Sequence, residues 1–84
     1  MKRLNIIGRK IGRLRYQRGW TQDVLAAKLQ LKGCMISRDK ISRIESELTH
    51  VYDFQLLAFA NIFHVEVTTF FPKADFELSV PSSR

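Results

Sequence analysis

Two short stretches of sequence, residues 20–29 and residues 37–45, constrain the fold of this chain more than any other feature. Each starts with a residue type that commonly caps helices, Thr21 in the first and Ser37 in the second. Apolar residues then recur three and four positions apart, which is typical of a short helix with one buried side. The second stretch also carries three cations within six positions, on the side that its isoleucines leave free. The two stretches predict a pair of packed helices, the second of which presents a basic face.

The sequence before them predicts a first helix that begins near Asn5, a favourable N-cap residue, and ends near Gly19. Arg15 falls at the edge of the apolar side of this helix, about 80° from Ile7 at roughly 100° per residue. The other basic residues of this helix face away from the apolar side, toward water or a polyanion. That apolar side is a single stripe at helical spacing, made of Leu4, Ile7, Ile11 and Leu14.

The second helix is expected to reach Leu31 or Lys32, where Gly33 ends it. A polar loop, residues 46–52, separates the third helix from a fourth that is capped by Asp53. The apolar side of the fourth helix comprises Leu56, Leu57, Phe59, Ala60 and Phe63. A fifth helix of one turn is capped by Thr68, carries Phe70 and Phe71, and ends at Pro72. The predicted fold class is therefore all-α, a compact bundle of five short helices.

The helical pattern stops after Pro72. Phe76, Leu78 and Val80 alternate with polar residues, which is the period of a half-buried strand. We therefore expect one helical domain over residues 1–72 and a C-terminal tail over residues 73–84. The tail is expected either to be disordered or to form a strand that pairs with the same strand of a second copy.

The charge of the chain is distributed unevenly along its 84 residues, with a net value of +6. Residues 1–20 hold seven cations and no acid, whereas residues 46–84 hold two cations against five acids. Residues 21–45 lie between these extremes, with five cations against three acids. Such a distribution favours one face directed at a polyanion, although an uneven solvated surface would give the same totals.

Several classes of site and location are not expected. The single cysteine, Cys34, cannot form an intramolecular disulfide, and His50 and His64 lie too far from it for a recognisable metal spacing. No catalytic triad, carboxylate cluster or glycine-rich phosphate loop is present, so we expect no enzyme activity and no cofactor. No apolar run approaches the roughly 18 residues of a membrane span, and no apolar segment follows Arg3 as in a signal peptide. A cytoplasmic protein without a membrane partner is the expectation.

The chain resembles the lambda-repressor-like helix-turn-helix family, also called the Cro/C1 or XRE type, over about residues 5–72. The resemblance is carried by residues 11–22, 25–29 and 41–45, with residues 56–65 similar to the closing helix of the family. The helix-turn-helix consists of the second and third helices. Two departures are visible. The connection over residues 30–36 is longer than the family's tight turn, so either the second helix extends or the loop bulges. Glu47 and His64 stand where the family commonly has glycine.

The resemblance and the free face of the third helix imply which residues contact double-stranded DNA. The base-reading positions are Arg38, Asp39, Lys40 and Arg43, and the arginines favour guanine because they can bond to O6 and N7 together. Asp39 either accepts a hydrogen bond from cytosine or favours the positive end of its own helix. The implied contacts to the DNA backbone come from Thr21, Gln22, Ser37, Ser42 and Thr49.

The resemblance also implies a structural role for two charged residues. In the family, the positions of Arg15 and Glu45 form a partly buried ion pair between the first and third helices, so Arg15 is expected to support the fold and not to contact DNA.

The implied function is that of a sequence-specific transcriptional regulator, a repressor, which binds a two-fold operator as a homodimer. The candidates for the dimer surface are Phe70, Phe71, Phe76 and the alternating tail. The alternative is an antitoxin or an adaptor that uses the same fold to bind another protein.

Overall fold

The computed structural model describes residues 2–72, and these form four α-helices, a single 3-10 turn and no strand. The helices are α1 (Gly8–Gln17), α2 (Gln22–Leu31), α3 (Arg38–Glu45) and α4 (Asp53–Phe63), and the turn spans Val67–Phe70. The predicted all-α class is confirmed for this part of the chain, but the prediction of five helices is wrong. The fifth element is only a four-residue 3-10 turn, and it is preceded by Glu66 instead of Thr68. The predicted tail and its strand lie outside the described residues.

Side-chain caps define the starts of α2 and α3 as predicted. Thr21 Oγ1 accepts a hydrogen bond from Val24 N at 3.1 Å, and Ser37 Oγ accepts one from Lys40 N at 3.2 Å. In α4 the predicted cap is displaced by one residue, because Asp53 is already helical and Tyr52 precedes the helix. These caps satisfy backbone donors that have no partner within the helix.

The first helix begins at Gly8, three residues later than expected, but Asn5 still binds the backbone at its start. Its Oδ1 accepts hydrogen bonds from the backbone N–H groups of Ile7 at 3.0 Å and Gly8 at 2.7 Å. Its Nδ2 donates to the carbonyl oxygens of Ile44 at 3.1 Å and Thr49 at 2.9 Å. Asn5 therefore joins the start of α1 to the end of α3 and to the following loop.

All four α-helices of the described region end in the same way, with a residue in the left-handed backbone conformation. The N–H of the next residue then bonds to the carbonyl five positions back, as in a Schellman motif. Gly33 ends α2 in this manner, so the long connection arises because the helix extends to Leu31. The left-handed residues are Gly19 (φ 72°), Gly33 (φ 83°), Glu47 (φ 64°) and His64 (φ 57°). The two positions at which the family commonly has glycine are thus left-handed here as well.

The core is made of apolar side chains from every helix and from the 3-10 turn. Leu57 was predicted to face inward, but it lies outside this core with 62% of its surface exposed. It is two positions from the buried Phe59, which places it about 160° away around the helix axis. Leu4, also predicted to be buried, precedes α1 and is exposed. The largest fully buried side chains are Ile11, Leu25, Leu29, Ile41, Ile44, Phe59, Phe63 and Phe70.

The helix α3 packs against both α1 and α2, and its contact with α1 is unusually close. A Cβ atom at Gly8 would overlap the backbone carbonyl oxygen of Ile44, so only glycine fits at this position. One turn further along, a Cβ at Gly12 would lie 3.3 Å from the side chain of Glu45. The two glycines allow α1 to approach α3 along two turns. No helix in residues 2–72 is long and apolar enough to cross a membrane.

We expect Gly8→Ala to lower the free energy of unfolding by about 3 kcal/mol, because relieving the overlap requires α1 to move away from α3. This loss should occur although alanine favours helix formation by roughly 1 kcal/mol relative to glycine. Gly12→Ala is the comparison on the same helix, because its new Cβ would lie 3.3 Å from the Glu45 side chain and needs an adjustment of only a few tenths of an ångström, so its loss should be smaller. Urea denaturation of both variants measures the difference. Equal stability of the two variants would show that the close approach at Gly8 is not rigid.

Candidate nucleic-acid interface

The carboxylate of Glu45, at the end of α3, is bound by side chains from both neighbouring helices. Arg15 of α1 donates from Nε to Oε2 at 2.7 Å and from a terminal nitrogen to Oε1 at 3.1 Å. Gln22 of α2 donates from Nε2 to Oε1, also at 3.1 Å. Arg15 additionally donates to the carbonyl oxygen of Trp20 at 2.8 Å. These four hydrogen bonds fix the position of α3 relative to α1 and α2.

The Arg15–Glu45 pair implied by the resemblance is therefore present. Only 18% of the Arg15 side chain and 12% of the Glu45 side chain are exposed. The hydrogen bond to Glu45 raises the pKa of Arg15, partial burial lowers it, and the opposite charge of Glu45 raises it further, with a net upward shift. The Arg15 guanidinium thus stays protonated at neutral pH.

The outward face of α3 lies opposite the buried Ile41 and Ile44. Asp39, Ser42 and Arg43 lie near its centre, as the helical spacing requires. Within the described part of the chain, the side chain of Arg43 has no hydrogen bond, ion pair or ring contact, and the residue is exposed. Its guanidinium group is therefore available to a partner molecule.

Arg38 lies at the α2 edge of this face and is held loosely by two carboxylates. Its Nε lies 3.6 Å from Asp23 Oδ1, and a terminal nitrogen lies 3.8 Å from Asp39 Oδ1. All three side chains are more than half exposed. Exposed pairs of this kind are worth little in water, so Arg38 can exchange them for a stronger acceptor at small cost.

Lys40 lies at the opposite edge of the face and is turned toward the loop that follows α3. Its Nζ donates to Thr49 Oγ1 at 3.2 Å and lies 5.9 Å from the centre of the Tyr52 ring. The backbone carbonyl of Thr49 is in turn fixed by Asn5. Lys40 and Thr49 thus form one polar unit at the loop edge, apart from the central residues of the face.

Thr21 and Gln22 lie at the start of α2, beside the start of α3. They line a shallow cleft together with Arg15, Asp23 and Arg38. The hydroxyl of Thr21 is used to cap α2, and the amide of Gln22 is bonded to Glu45. Among the predicted backbone-contact residues, Ser37 similarly caps α3 and Ser42 is half-buried on it.

The basic surface of α1 begins near the point where α3 ends. Glu47, two residues beyond α3, has carboxylate oxygens 3.8 Å from Arg3 and 3.8 Å from Arg9. Lys10 and Arg13 line the same cleft as these residues. The strongly basic first segment of the sequence therefore surrounds Glu47, just beyond the end of α3.

Sequence reasoning identified the residues on α3 but missed three of their partners. The bond of Gln22 to Glu45, the bond of Lys40 to Thr49 and the double role of Asn5 all join residues far apart in the sequence. Periodicity carries no information on such pairs, because it describes only which side of one helix a residue occupies. The polar residues of the 46–52 loop were the available signal, because polar groups in a loop that packs on the protein need hydrogen-bond partners.

Within residues 2–72, no three His, Cys, Asp or Glu side chains lie close enough together to hold a metal ion. Burial raises the pKa of the half-buried Cys34 thiol, which makes it a less ready ligand or nucleophile. No family model, no curated protein and no solved structure matches the chain.

Arg15→Ala should lower the free energy of unfolding by about 3 kcal/mol, because the Glu45 carboxylate would remain largely buried with only Gln22 as a side-chain donor. Arg13→Ala on the same helix is the matched control, since this exposed arginine has no partner in the described structure. Its effect should stay within about 0.5 kcal/mol. Thermal unfolding followed by circular dichroism compares the two. Similar melting temperatures would contradict a structural role of the ion pair.

Proposed function

We propose that this chain is a lambda-repressor-like helix-turn-helix protein in which α2 and α3 form the helix-turn-helix. In this proposal it binds double-stranded DNA in a sequence-specific manner and regulates transcription as a repressor. The observation that carries the proposal is the outward face of α3. Arg43 is exposed and unpartnered among the described residues, while Ile41 and Ile44 beneath it are fully buried. A short helix anchored on one side and basic on the other fits the major groove.

The second support is that α3 is held rigidly before any partner binds. Asn5 bonds the carbonyl of Ile44, and Glu45 receives hydrogen bonds from α1 and α2. Base edges are recognised by hydrogen bonds whose geometry must be accurate, so a fixed helix loses less entropy on binding than a mobile one. The side chains on α3 thus need only adjust their own rotamers.

The base-reading residues differ in whether their side chains already have partners within the protein, and we assign them different roles on this basis. Arg43 is the principal reader, with guanine as its favoured base. Arg38 becomes a second base reader when a contact to DNA replaces its weak ion pairs with Asp23 and Asp39. Asp39 either accepts a hydrogen bond from cytosine or favours the positive end of its own helix, α3. Lys40 reaches DNA together with Thr49. An ammonium group beside a hydroxyl suits a phosphate oxygen better than a base edge, so we reassign Lys40 to the backbone.

The remaining contacts to the DNA backbone come from the starts of the two helices. Thr21 and Gln22 lie beside the first turn of α2, and Ser37 precedes the first turn of α3. N–H groups at helix starts favour phosphate oxygens. Ser42 completes this set from the outward face of α3.

A homodimer on a two-fold site is part of the proposal, because one module of this size makes few base contacts. Half-sites would lie about 34–36 Å apart or at a multiple of that distance. The aromatic residues expected at the dimer surface do not suit this role. Phe70 is fully buried, Phe71 is half-buried, and Phe76 lies outside the described residues. The 3-10 turn contributes Phe70 to the core and not to an interface.

Selection of the full chain on a random pool of DNA duplexes tests the function. We expect an enriched palindrome, and binding to it should weaken with salt at a log–log slope of about −0.9 per neutralised phosphate. The alternative of an adaptor or antitoxin without DNA binding predicts no enrichment. Enrichment without a palindrome would support DNA binding and oppose the two-fold dimer.

Arg43→Ala should weaken binding to the selected sequence by about 1–3 kcal/mol and relax the preference at one base pair. The reason is that a bidentate contact to guanine is lost. Arg13→Ala is the control, because it removes the same charge from an exposed side chain of α1 to which no base contact is assigned, so it should leave the preference at every base pair unchanged. Fluorescence anisotropy on the selected duplex and on its single-base variants measures both effects. Uniform weakening on all sequences would identify Arg43 as a phosphate contact.

A further inference from the structure

One surface of the molecule exposes four large apolar side chains that the proposed function does not use. Leu31 is 88% exposed, Met35 77%, Phe54 63% and Leu57 62%. They come from the end of α2, from the α2–α3 connection and from the outer side of α4. We call these four residues the apolar patch. Its exposed area is roughly 500 Å², which is near the upper end of what a monomer leaves uncovered.

The apolar patch contains both a groove and projecting side chains. The groove runs between the α2–α3 connection and α4, and its walls include Cys34, Met35, Phe54, Leu57 and Ala58. Lys32 and Asn61 lie at the groove and also line the adjoining cleft that contains Leu31. Met35 is thus part of the groove wall, and Leu31, the most exposed member of the patch, stands beside the groove. A surface that carries both an apolar groove and a projecting apolar side chain can be complementary to itself.

We propose that a second copy of this chain binds the apolar patch about a two-fold axis. Leu31 of each copy enters the groove of the other and contacts its Met35, as an isologous interface requires. Two copies would bury about 1,000 Å², the lower limit of a specific interface, so the dimer is weak and depends on concentration. This dimer is the one that the proposed function requires, and the inference rests on that function.

The composition of the groove favours a second copy over a charged partner. Lys32 is the one charged residue among those that line it. A nucleic acid or an acidic peptide would need several free cations. Arg18 and Lys28 line the adjoining cleft, but both lie against the ring of Trp20. None of the four patch residues belongs to α3. A dimer closed through the patch therefore leaves Arg43 exposed for its own partner.

Sedimentation equilibrium of the full chain, over about a hundredfold range of concentration, tests the interface. We expect the wild-type chain to show a monomer–dimer equilibrium. Met35→Glu and Leu57→Glu should each raise the dissociation constant at least about tenfold, because each places an unpaired charge in the interface. Tyr16→Glu is the matched control, since Tyr16 is an exposed aromatic residue on α1, outside the patch. It should change the dissociation constant by less than about twofold.

Anisotropy with a duplex of about 20 base pairs at low salt separates this inference from the proposed function. Patch variants that are monomeric yet bind the duplex support the interface. A wild-type chain that dimerises through the patch but binds neither this duplex nor any selected one also supports it, and overturns the DNA-binding proposal. A wild-type chain that stays monomeric at every concentration overturns the interface, as does a dimer unaffected by both patch variants.

Discussion

The carboxylate of Glu45 is the point on which the arrangement of the first three helices depends. It lies at the end of α3 and is bonded by Arg15 from α1 and by Gln22 from α2. A largely buried carboxylate without these donors would carry a large desolvation cost. The glycine at position 12 leaves the space that the carboxylate stem occupies. A hydrogen-bonded charge specifies one orientation of α3, whereas apolar packing on Ile41 and Ile44 alone would tolerate small rotations.

The second constraint also lies at the end of α3, at the start of α1, and uses backbone groups in place of charges. Asn5 bonds the carbonyls of Ile44 and Thr49, so α3 and the loop after it move together with the start of α1. The left-handed Glu47 allows the chain to turn between those two carbonyls. A left-handed residue other than glycine is strained by roughly 1–2 kcal/mol. The carboxylate of Glu47, close to Arg3 and Arg9, offers an attraction that offsets part of that strain.

The sequence was sufficient to predict the elements that depend on local chemistry. Thr21 and Ser37 are found as caps, and Gly33 ends α2, because capping involves residues only three or four positions apart. The errors arose where distant groups compete. Asn5 binds the start of α1 but also holds α3 and the loop, and α1 begins only at Gly8. The last turn is too short to form an α-helix before Pro72. On α3, spacing predicted the outward face correctly but could not show that Lys40 is held by Thr49.

The net charge of the chain therefore overstates the charge available to a partner, because several cations are already engaged. Arg18 donates to the carbonyl of Phe63 at 2.7 Å and, like Lys28, lies against the ring of Trp20. Arg15 is neutralised by Glu45. These cations stabilise the joints between helices and would be costly to withdraw. Arg43, by contrast, has no intramolecular contact to lose in the described structure. A partner that binds it gains the full interaction, so recognition is expected to centre on this residue.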